Sequence, residues 1–243
     1  MSILNRDTEI TYLGHATLLI KTPGGKRLLI DPWTAGNPAC PAHYKDPSSL
    51  GKVDIILATH IHNDHVGDAE SIIRANPEAN VVAIFEACNW LSTKGAKNVR
   101  PMSKGGAQTV AGVRITMTHA SHSSSFTEDD GSIVYGGEPA GYILTLENEF
   151  TMYAAGDTCV FGDMAMLREL YRPELAFLPI GDLFTMGPVQ AAHAARLLQT
   201  RHLVPIHYAT FPALTGTPEA LREQCKDLPD LQIHALNPGD TLR

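Results

Sequence analysis

Three histidines and an aspartate fall within positions 60–65, and this cluster constrains the chain more than any other stretch. The apolar run 53–58 directly before it has the length of a buried strand. Apolar residues follow at helical spacing over 69–73, and Asp68 is placed as the N-cap of that helix. The sequence therefore predicts a ligand-rich loop at the carboxyl end of a buried strand, where α/β sheets commonly carry their chemistry.

The residue types in this loop are those that bind transition metals. Imidazole and carboxylate ligands suit Zn, Fe and Mn, and four such side chains on one tight loop cannot all reach one ion. We expect His60 and His62 to share one metal, while Asp64 and His65 turn toward a second. The alternative, a solvated loop with ordinary histidines, is disfavoured by their density beside a buried strand.

Composition narrows the class of protein. A chain of 243 residues with 44% hydrophobic and 19% charged residues is typical of a soluble globular protein, and we expect one domain over 1–243. The net charge of −7 and the lack of a basic run disfavour nucleic-acid binding. We expect no transmembrane helix, since no apolar run approaches ~20 residues. The four cysteines are scattered, which predicts reduced thiols and a cytoplasmic location.

The order of predicted elements indicates the architecture. An antiparallel meander over 10–30 and a long loop over 32–52 precede the metal loop. The same order, strands first and then alternating strands and helices, starts again at Val113. The sequence predicts an α/β (α+β) fold in which two mixed sheets pack face to face with helices outside, a four-layer αββα arrangement. We also expect a Gly-rich turn before Val113, an acidic loop over 128–137 and a final strand pair.

Four more polar residues stand where predicted strands end: His122, Asp157, Asp182 and His207. Alone, Asp157 could equally cap a helix, and His207 could be a buried structural imidazole. A two-metal site, however, needs about four ligands per ion and one bridging carboxylate. The set supplies this count, with His60, His62 and His122 on one ion, Asp64, His65 and His207 on the other, and Asp157 between them.

This ordered set resembles the metallo-β-lactamase superfamily. More narrowly, the chain is similar over nearly its whole length to a bacterial and archaeal family of metal-dependent hydrolases, and more distantly to ascorbate-6-phosphate lactonase. The resemblance implies the metallo-β-lactamase fold, which has the predicted four layers. The segments that carry it are 12–16, 30–32, 85–86 with 94–95, 120–124, 179–188, 205–208 and 210–212.

The resemblance also assigns roles to individual residues. Its Ala-x-His-Ser-Ser pattern selects His122 over His119 as the third ligand of the first ion, although the reverse stays open. Asp31 is expected to accept a hydrogen bond from a ligand histidine, or to be a turn residue before Pro32. The roles of His15, Asp182 and Thr185 are left open between pocket contacts and structural ones.

Two residues depart from the family pattern. Asn63 stands where Gly is common and tolerates the same turn conformation. Cys159 stands where a small residue is usual and is interpreted as a packing residue.

The predicted function is hydrolysis by a metal-bridging hydroxide, with Asp64 and Asp157 as the catalytic residues. The cofactors are two divalent ions, Zn²⁺ first and Mn²⁺ or Fe²⁺ as alternatives. A small ester, lactone, amide, thioester or phosphodiester would be the substrate, since the fold does not fix the choice. The alternatives are a metal-binding protein without turnover and an RNA-processing nuclease. We expect no nucleic-acid or membrane partner, and a homo-oligomer joined through apolar loops such as 211–214.

Overall fold

The computed structural model describes Leu4 and residues 6–243. The strands are β1 (Glu9–Tyr12), β2 (Leu18–Lys21), β3 (Arg27–Ile30), β4 (Ile55–Leu57), β5 (Asn80–Ile84), β6 (Asn98–Met102), β7 (Ala107–Val110), β8 (Val113–His119), β9 (Ser125–Thr127), β10 (Ile133–Tyr135), β11 (Ala140–Thr145), β12 (Thr151–Ala154), β13 (Leu175–Pro179), β14 (His202–Ile206), β15 (Gln232–Ile233) and β16 (Thr241–Leu242). The helices are α1 (Asn63–Val66), α2 (Ala69–Ala75), α3 (Phe85–Thr93), α4 (Met164–Tyr171), α5 (Pro188–Leu198) and α6 (Pro218–Gln224).

Two seven-stranded mixed sheets form the centre of the molecule. The first has the order β16-β1-β2-β3-β4-β5-β6, and the second has the order β15-β14-β13-β12-β11-β8-β7. In the first sheet, β1 to β3 form an antiparallel meander, and β3 to β6 run parallel. In the second, β12 to β15 run parallel, and β7, β8, β11 and β12 pair antiparallel. Both sheets therefore combine a meander with a parallel, helix-connected half.

Alternate residues along the strands separate two hydrophobic layers. Phe177 on β13 belongs to the core shared by the two sheets, whereas its neighbours Ala176 and Leu178 pack with α4, α5 and α6 on the outer face of the second sheet. Buried residues of α2 and α3 pack against the first sheet. The predicted four-layer αββα architecture is thus confirmed.

Several local predictions were wrong. The Gly-rich segment before Val113 contains β7, and the acidic loop contains the hairpin strand β10. The sequence of β7, Ala-Gln-Thr-Val, shows no clear alternation, and the apolar run of β10, Ile-Val-Tyr, is only three residues long and mostly exposed. The final two strands do not pair with each other, because β15 pairs with β14 and β16 pairs with β1. Two short 3-10 helices, Ala42–Tyr44 and Pro47–Leu50, interrupt the predicted long loop.

Asp68 occupies the N-cap position of α2, but its side chain does not cap the helix. Its carboxylate accepts hydrogen bonds from the backbone N–H groups of Thr34 (2.8 Å) and Gly36 (3.0 Å) instead. Asp68 therefore fastens the loop after β3 to the end of the metal loop.

The carboxyl ends of β3, β4, β12, β13 and β14 meet at one edge of the molecule, which we call the ligand edge. A backbone hydrogen bond joins the two sheets there, from His207 N–H to the carbonyl oxygen of His15 (2.7 Å). Among the residues described, no helix is both long enough and apolar enough to cross a bilayer.

Candidate metal centre

The seven predicted ligands lie together at the ligand edge, although they come from both sheets. Four follow β4, and one each follows β8, β12 and β14. In chain order they are His60, His62, Asp64, His65, His122, Asp157 and His207. The fold thus brings into contact groups that are far apart in sequence.

Three histidines form the first group. Nε2 of His60 lies 2.9 Å from Nδ1 of His62, and one ring nitrogen from each of these residues and from His122 falls within 4.8 Å of the others. His60 is buried, while His62 and His122 are partly exposed. This three-histidine group has the spacing needed to hold one cation.

The second group contains Asp64, His65 and His207. One ligand atom of each, together with one of His15, lies within 4.8 Å of the others. The side chain of Asp64 is 33% exposed, whereas those of His65 and His207 are buried. This aspartate group is therefore open to solvent on the side of Asp64.

Asp157 lies between the two groups. Its Oδ2 atom is 3.3 Å from Nε2 of His65, 3.0 Å from Nε2 of His207 and 3.6 Å from Nε2 of His122. One carboxylate oxygen thus contacts members of both groups, as a bridging ligand must.

Unsatisfied buried atoms provide a test of whether cations fit here. Nε2 of His65 and Oδ1 of Asp157 are buried without a hydrogen-bond partner among the described residues. Such atoms cost roughly 1–3 kcal/mol each, and both belong to groups that commonly ligate metals. The donor set and these free atoms fit divalent cations.

The electrostatics point the same way. Burial lowers the pKa of His60 well below its usual value and also lowers the pKa of His122, so both imidazoles are neutral and ligand-competent. Burial opposes ionisation of Asp157, but His207 and His65 outweigh it and hold the pKa of this carboxyl well below its usual range. A negatively charged, buried Asp157 requires positive charge beside it.

Comparisons with known proteins agree with this arrangement. Residues 26–208 match the family model described as the beta-lactamase superfamily domain. The chain belongs to the beta-lactamase superfamily. A UPF0173 metal-dependent hydrolase from Rubrobacter xylanophilus is 50% identical over 236 residues, which are 97% of this chain and 96% of the relative. A second, from Roseiflexus castenholzii, is 49% identical over the full length of both chains.

A solved structure extends the likeness to three dimensions. Igni18, a metallo hydrolase from the archaeon Ignicoccus hospitalis, superposes with a TM-score of 0.84 and is 33% identical, covering 96% of this chain and 97% of its own. The predicted family, fold and enzyme class are confirmed, and the chain is a metal-dependent hydrolase.

One carboxylate of the hydrolase supports both ligand groups. Oδ2 of Asp31 accepts hydrogen bonds from Nδ1 of His65 (2.8 Å) and from the hydroxyl of Thr59 (2.8 Å). Because the Thr59 hydroxyl donates to Asp31, it accepts the Nδ1 proton of His60, which lies 3.0 Å away. With cations bound, both imidazoles would therefore keep their proton on Nδ1 and present Nε2 to the centre.

His15 contacts the aspartate group through Asp64. Its Nε2 lies 3.1 Å from Oδ2 of Asp64, and its Nδ1 lies 3.0 Å from the hydroxyl of Thr210. The side chain is fully buried, and its ring centroid lies 4.0 Å from that of His207, with the two rings tilted by 46°. Of the pocket and structural roles left open for His15, these contacts favour a role inside the site, in which the imidazole supports Asp64.

The remaining predicted residues lie outside the cluster. His119 faces Lys104 and the ring of Phe161, so His122 is the histidine that joins the first group. The carboxylate of Asp182 accepts the N–H of Leu183. Thr185 donates to the carbonyl of Met186. Asp182 and Thr185 therefore stabilise their own turn. Cys159, which the sequence predicted to be a packing residue, is exposed.

Three hydroxyl residues near the centre were missed. Thr59 orients His60, Thr210 contacts His15, and the Ser123 hydroxyl lies 3.3 Å from Nε2 of His62. Ser123 and Thr210 lie within segments that carry the family resemblance, and Thr59 directly precedes the 60–65 cluster, but a hydroxyl has no spacing pattern that distinguishes it from a surface residue. Asn63 has a further contact that was not expected, a pair of hydrogen bonds to the backbone of Thr127 on β9.

Proposed function

We propose that this hydrolase is dinuclear and cleaves a small ester, lactone, amide or thioester. The observation that carries the proposal is the position of Asp157 Oδ2, which contacts histidines of both ligand groups. The first ion would be held by His60, His62 and His122. The second would be held by Asp64, His65 and His207, with Asp157 between the two.

Bound divalent cations would lower the pKa of a water molecule toward neutrality and polarise the scissile bond. Zinc suits this mixture of imidazole and carboxylate ligands best, and Mn²⁺ or Fe²⁺ are the alternatives. Asp31 and Thr59 hold the proton of His60 on Nδ1, away from the centre. The side chain of Asp64 is 33% exposed, so its side of the site would admit the substrate and the attacking water.

The exposure of the site argues against a purely structural metal centre. Structural zinc sites are closed and usually cysteine-rich, whereas here no cysteine belongs to any group of potential ligands found among the described residues. Asp64 and His122 keep 33% and 14% of their side-chain surface accessible. A substrate can therefore reach the ligands, which supports turnover over mere metal storage.

Metal analysis combined with Asp157→Asn tests the proposal. We expect about two zinc equivalents per chain in the wild type, fewer in the variant, and loss of metal-dependent ester or lactone hydrolysis in the variant. His119→Ala is the matched control, because that imidazole lies outside the cluster, and it should keep metal and turnover. A single equivalent in the wild type, or full turnover by Asp157→Asn, would contradict a dinuclear mechanism.

A further inference from the structure

The ligand edge is nearly free of cationic side chains. No lysine or arginine occurs in the connections 13–17, 31–41, 58–68, 120–139, 155–163, 180–187, 207–217 and 234–240, all of which the structure describes. The two lysines that reach these connections from elsewhere are both paired, Lys104 with Glu138 at 2.8 Å and Lys94 with Glu128 at 2.7 Å. Arginine and lysine are the side chains that most often hold a phosphate or carboxylate of a substrate. This edge has no free group of that kind among the described residues.

Two apolar side chains project from the loop after β13. Leu183 is 66% exposed and Phe184 is 61% exposed. Contacts near both ends of this loop hold it next to the proposed metal centre. Met186 N–H donates to the carbonyl of Thr158, directly after Asp157, and Gly181 is packed against the carbonyl of His207. The loop that carries Leu183 and Phe184 is therefore anchored next to His207 and to Thr158, the neighbour of Asp157.

The backbone of this loop is held in an unfavourable conformation. Asp182 and Leu183 are consecutive non-glycine residues with φ of +67° and +51°. For leucine the left-handed region costs roughly 1–2 kcal/mol, and it is kept here by hydrogen bonds from Leu183 N–H to the Asp182 carboxylate and from Asp182 N–H to the Met186 carbonyl. The turn is thus built to present Leu183 to solvent.

A third apolar side chain stands on another connection of the same edge. Phe211 is 38% exposed, and its ring lies 5.7 Å from that of His15 and 6.1 Å from that of Trp33. Because His15 contacts Asp64, the ring of Phe211 is separated from the proposed ligands by one side chain. We call Leu183, Phe184 and Phe211 the apolar rim.

From the apolar rim and the absence of free cations we infer that the part of the substrate remote from the scissile bond is uncharged and apolar. The inference rests on the proposed function and specifies its substrate class: neutral esters, lactones or related acyl compounds with a hydrocarbon group, rather than phosphorylated sugars or nucleic acids. Burial of such a group against the rim would supply binding energy without a charged partner.

Two hydroxamates of equal length test this without requiring turnover. Octanohydroxamate and suberic acid monohydroxamate carry the same metal-binding head and eight carbons, and differ by a methyl or a carboxylate at the far end. We expect calorimetry on the zinc-loaded enzyme to show at least tenfold tighter binding of octanohydroxamate. Equal or tighter binding of the suberic compound would overturn the inference.

Leu183→Ser isolates the contribution of the rim. It should weaken octanohydroxamate binding roughly fivefold and leave the suberic compound nearly unchanged. Leu170→Ser is the matched control, since Leu170 on α4 is also 66% exposed but lies away from the ligand edge, and it should change neither. Equal effects of the two substitutions would overturn the assignment.

Further outcomes distinguish a failure of this inference from a failure of the proposed function. If Leu183→Ser lowers the sedimenting mass but not the affinity, the rim is an interface between copies of the chain and the inference fails. Metal analysis comes first: a protein that holds no divalent metal ion overturns the proposed function and this inference together. A protein that holds two ions but shows no hydroxamate preference overturns the inference alone.

Discussion

Nε2 of His15 lies 3.1 Å from Oδ2 of Asp64, and this contact determines where the proton of His15 resides. Burial lowers the pKa of His15 to about 4, so the ring is neutral and carries one proton. A carboxylate only accepts, so that proton is on Nε2, and the Thr210 hydroxyl must donate to Nδ1. Thr210, His15 and Asp64 therefore form a directed chain that ends on a proposed ligand.

His15→Asn should weaken binding of the second metal ion. Asparagine tolerates the φ of +57° at this position but is too short to support Asp64 as the imidazole does. Loss of such a supporting contact typically costs 10–100-fold in metal affinity, which competition with a chelator measures. Thr210→Val removes only the outer hydroxyl and should have a smaller effect. Unchanged affinity in His15→Asn would show that Asp64 needs no support.

Asp31→Asn should affect both ions, whereas Thr59→Val should affect the first. Asp31 accepts directly from His65 of the aspartate group and reaches His60 of the three-histidine group through the Thr59 hydroxyl. We expect Asp31→Asn to lower the affinity for both metal equivalents, and Thr59→Val to lower one by about tenfold. Stepwise metal titration distinguishes the two patterns. An equal loss in both variants would contradict the hydrogen-bond chain that links Asp31 through Thr59 to His60.

Gly181→Ala should disturb the site through the backbone. A methyl group at Gly181 would overlap the carbonyl oxygen of His207, so the strand end that carries this ligand must shift. We expect the free energy of unfolding to fall by roughly 1–3 kcal/mol, and turnover to fall with it. Gly162→Ala is the control, because a methyl group there meets no atom within 4 Å. Chemical denaturation of the two variants compares them, and equal stability would refute the clash.

A histidine pair outside the proposed ligand set predicts a pH dependence of stability. Nδ1 of His202 lies 3.0 Å from Nε2 of His234. Burial, and then the neighbouring His202, lower the pKa of His234 from 6.5 to about 4. Burial also lowers the pKa of His202. The nearby Glu174 opposes this decrease, and Arg201 adds to it. Between pH 6.5 and 4 the unfolded chain therefore binds more protons, and stability falls as the pH decreases.

His234→Gln should reduce this loss of stability. Because both side chains are partly exposed, solvent screening limits the effect to about 1 kcal/mol between pH 7.5 and 5. Urea unfolding at both pH values, with equal metal content, measures the difference between wild type and variant. His193→Gln, at an exposed position on α5, should keep the wild-type dependence. If it flattens the profile equally, the pair is not the cause.

The sequence predicted the layers and the clustering of the proposed ligands because both depend on local patterns. Buried strands such as β13 are apolar throughout, and the ligand motifs are short and follow strands directly. The edge strand β7 and the hairpin strand β10 were missed because their side chains are mostly exposed and polarity does not alternate along them. The supporting hydroxyl of Thr210 was missed because its partner, His15, is distant in the chain and only the fold joins them.

The hydrogen bond from His207 N–H to the carbonyl of His15 connects the end of β14 to the turn between the first two strands. The proposed centre therefore needs residues that are distant in the chain, and the set is complete only once the segment through His207 has been synthesised. A nascent chain can display the 60–65 loop early, but His207 would join it only later. Metal retention would consequently report that the segment from His15 to His207 has reached its native topology.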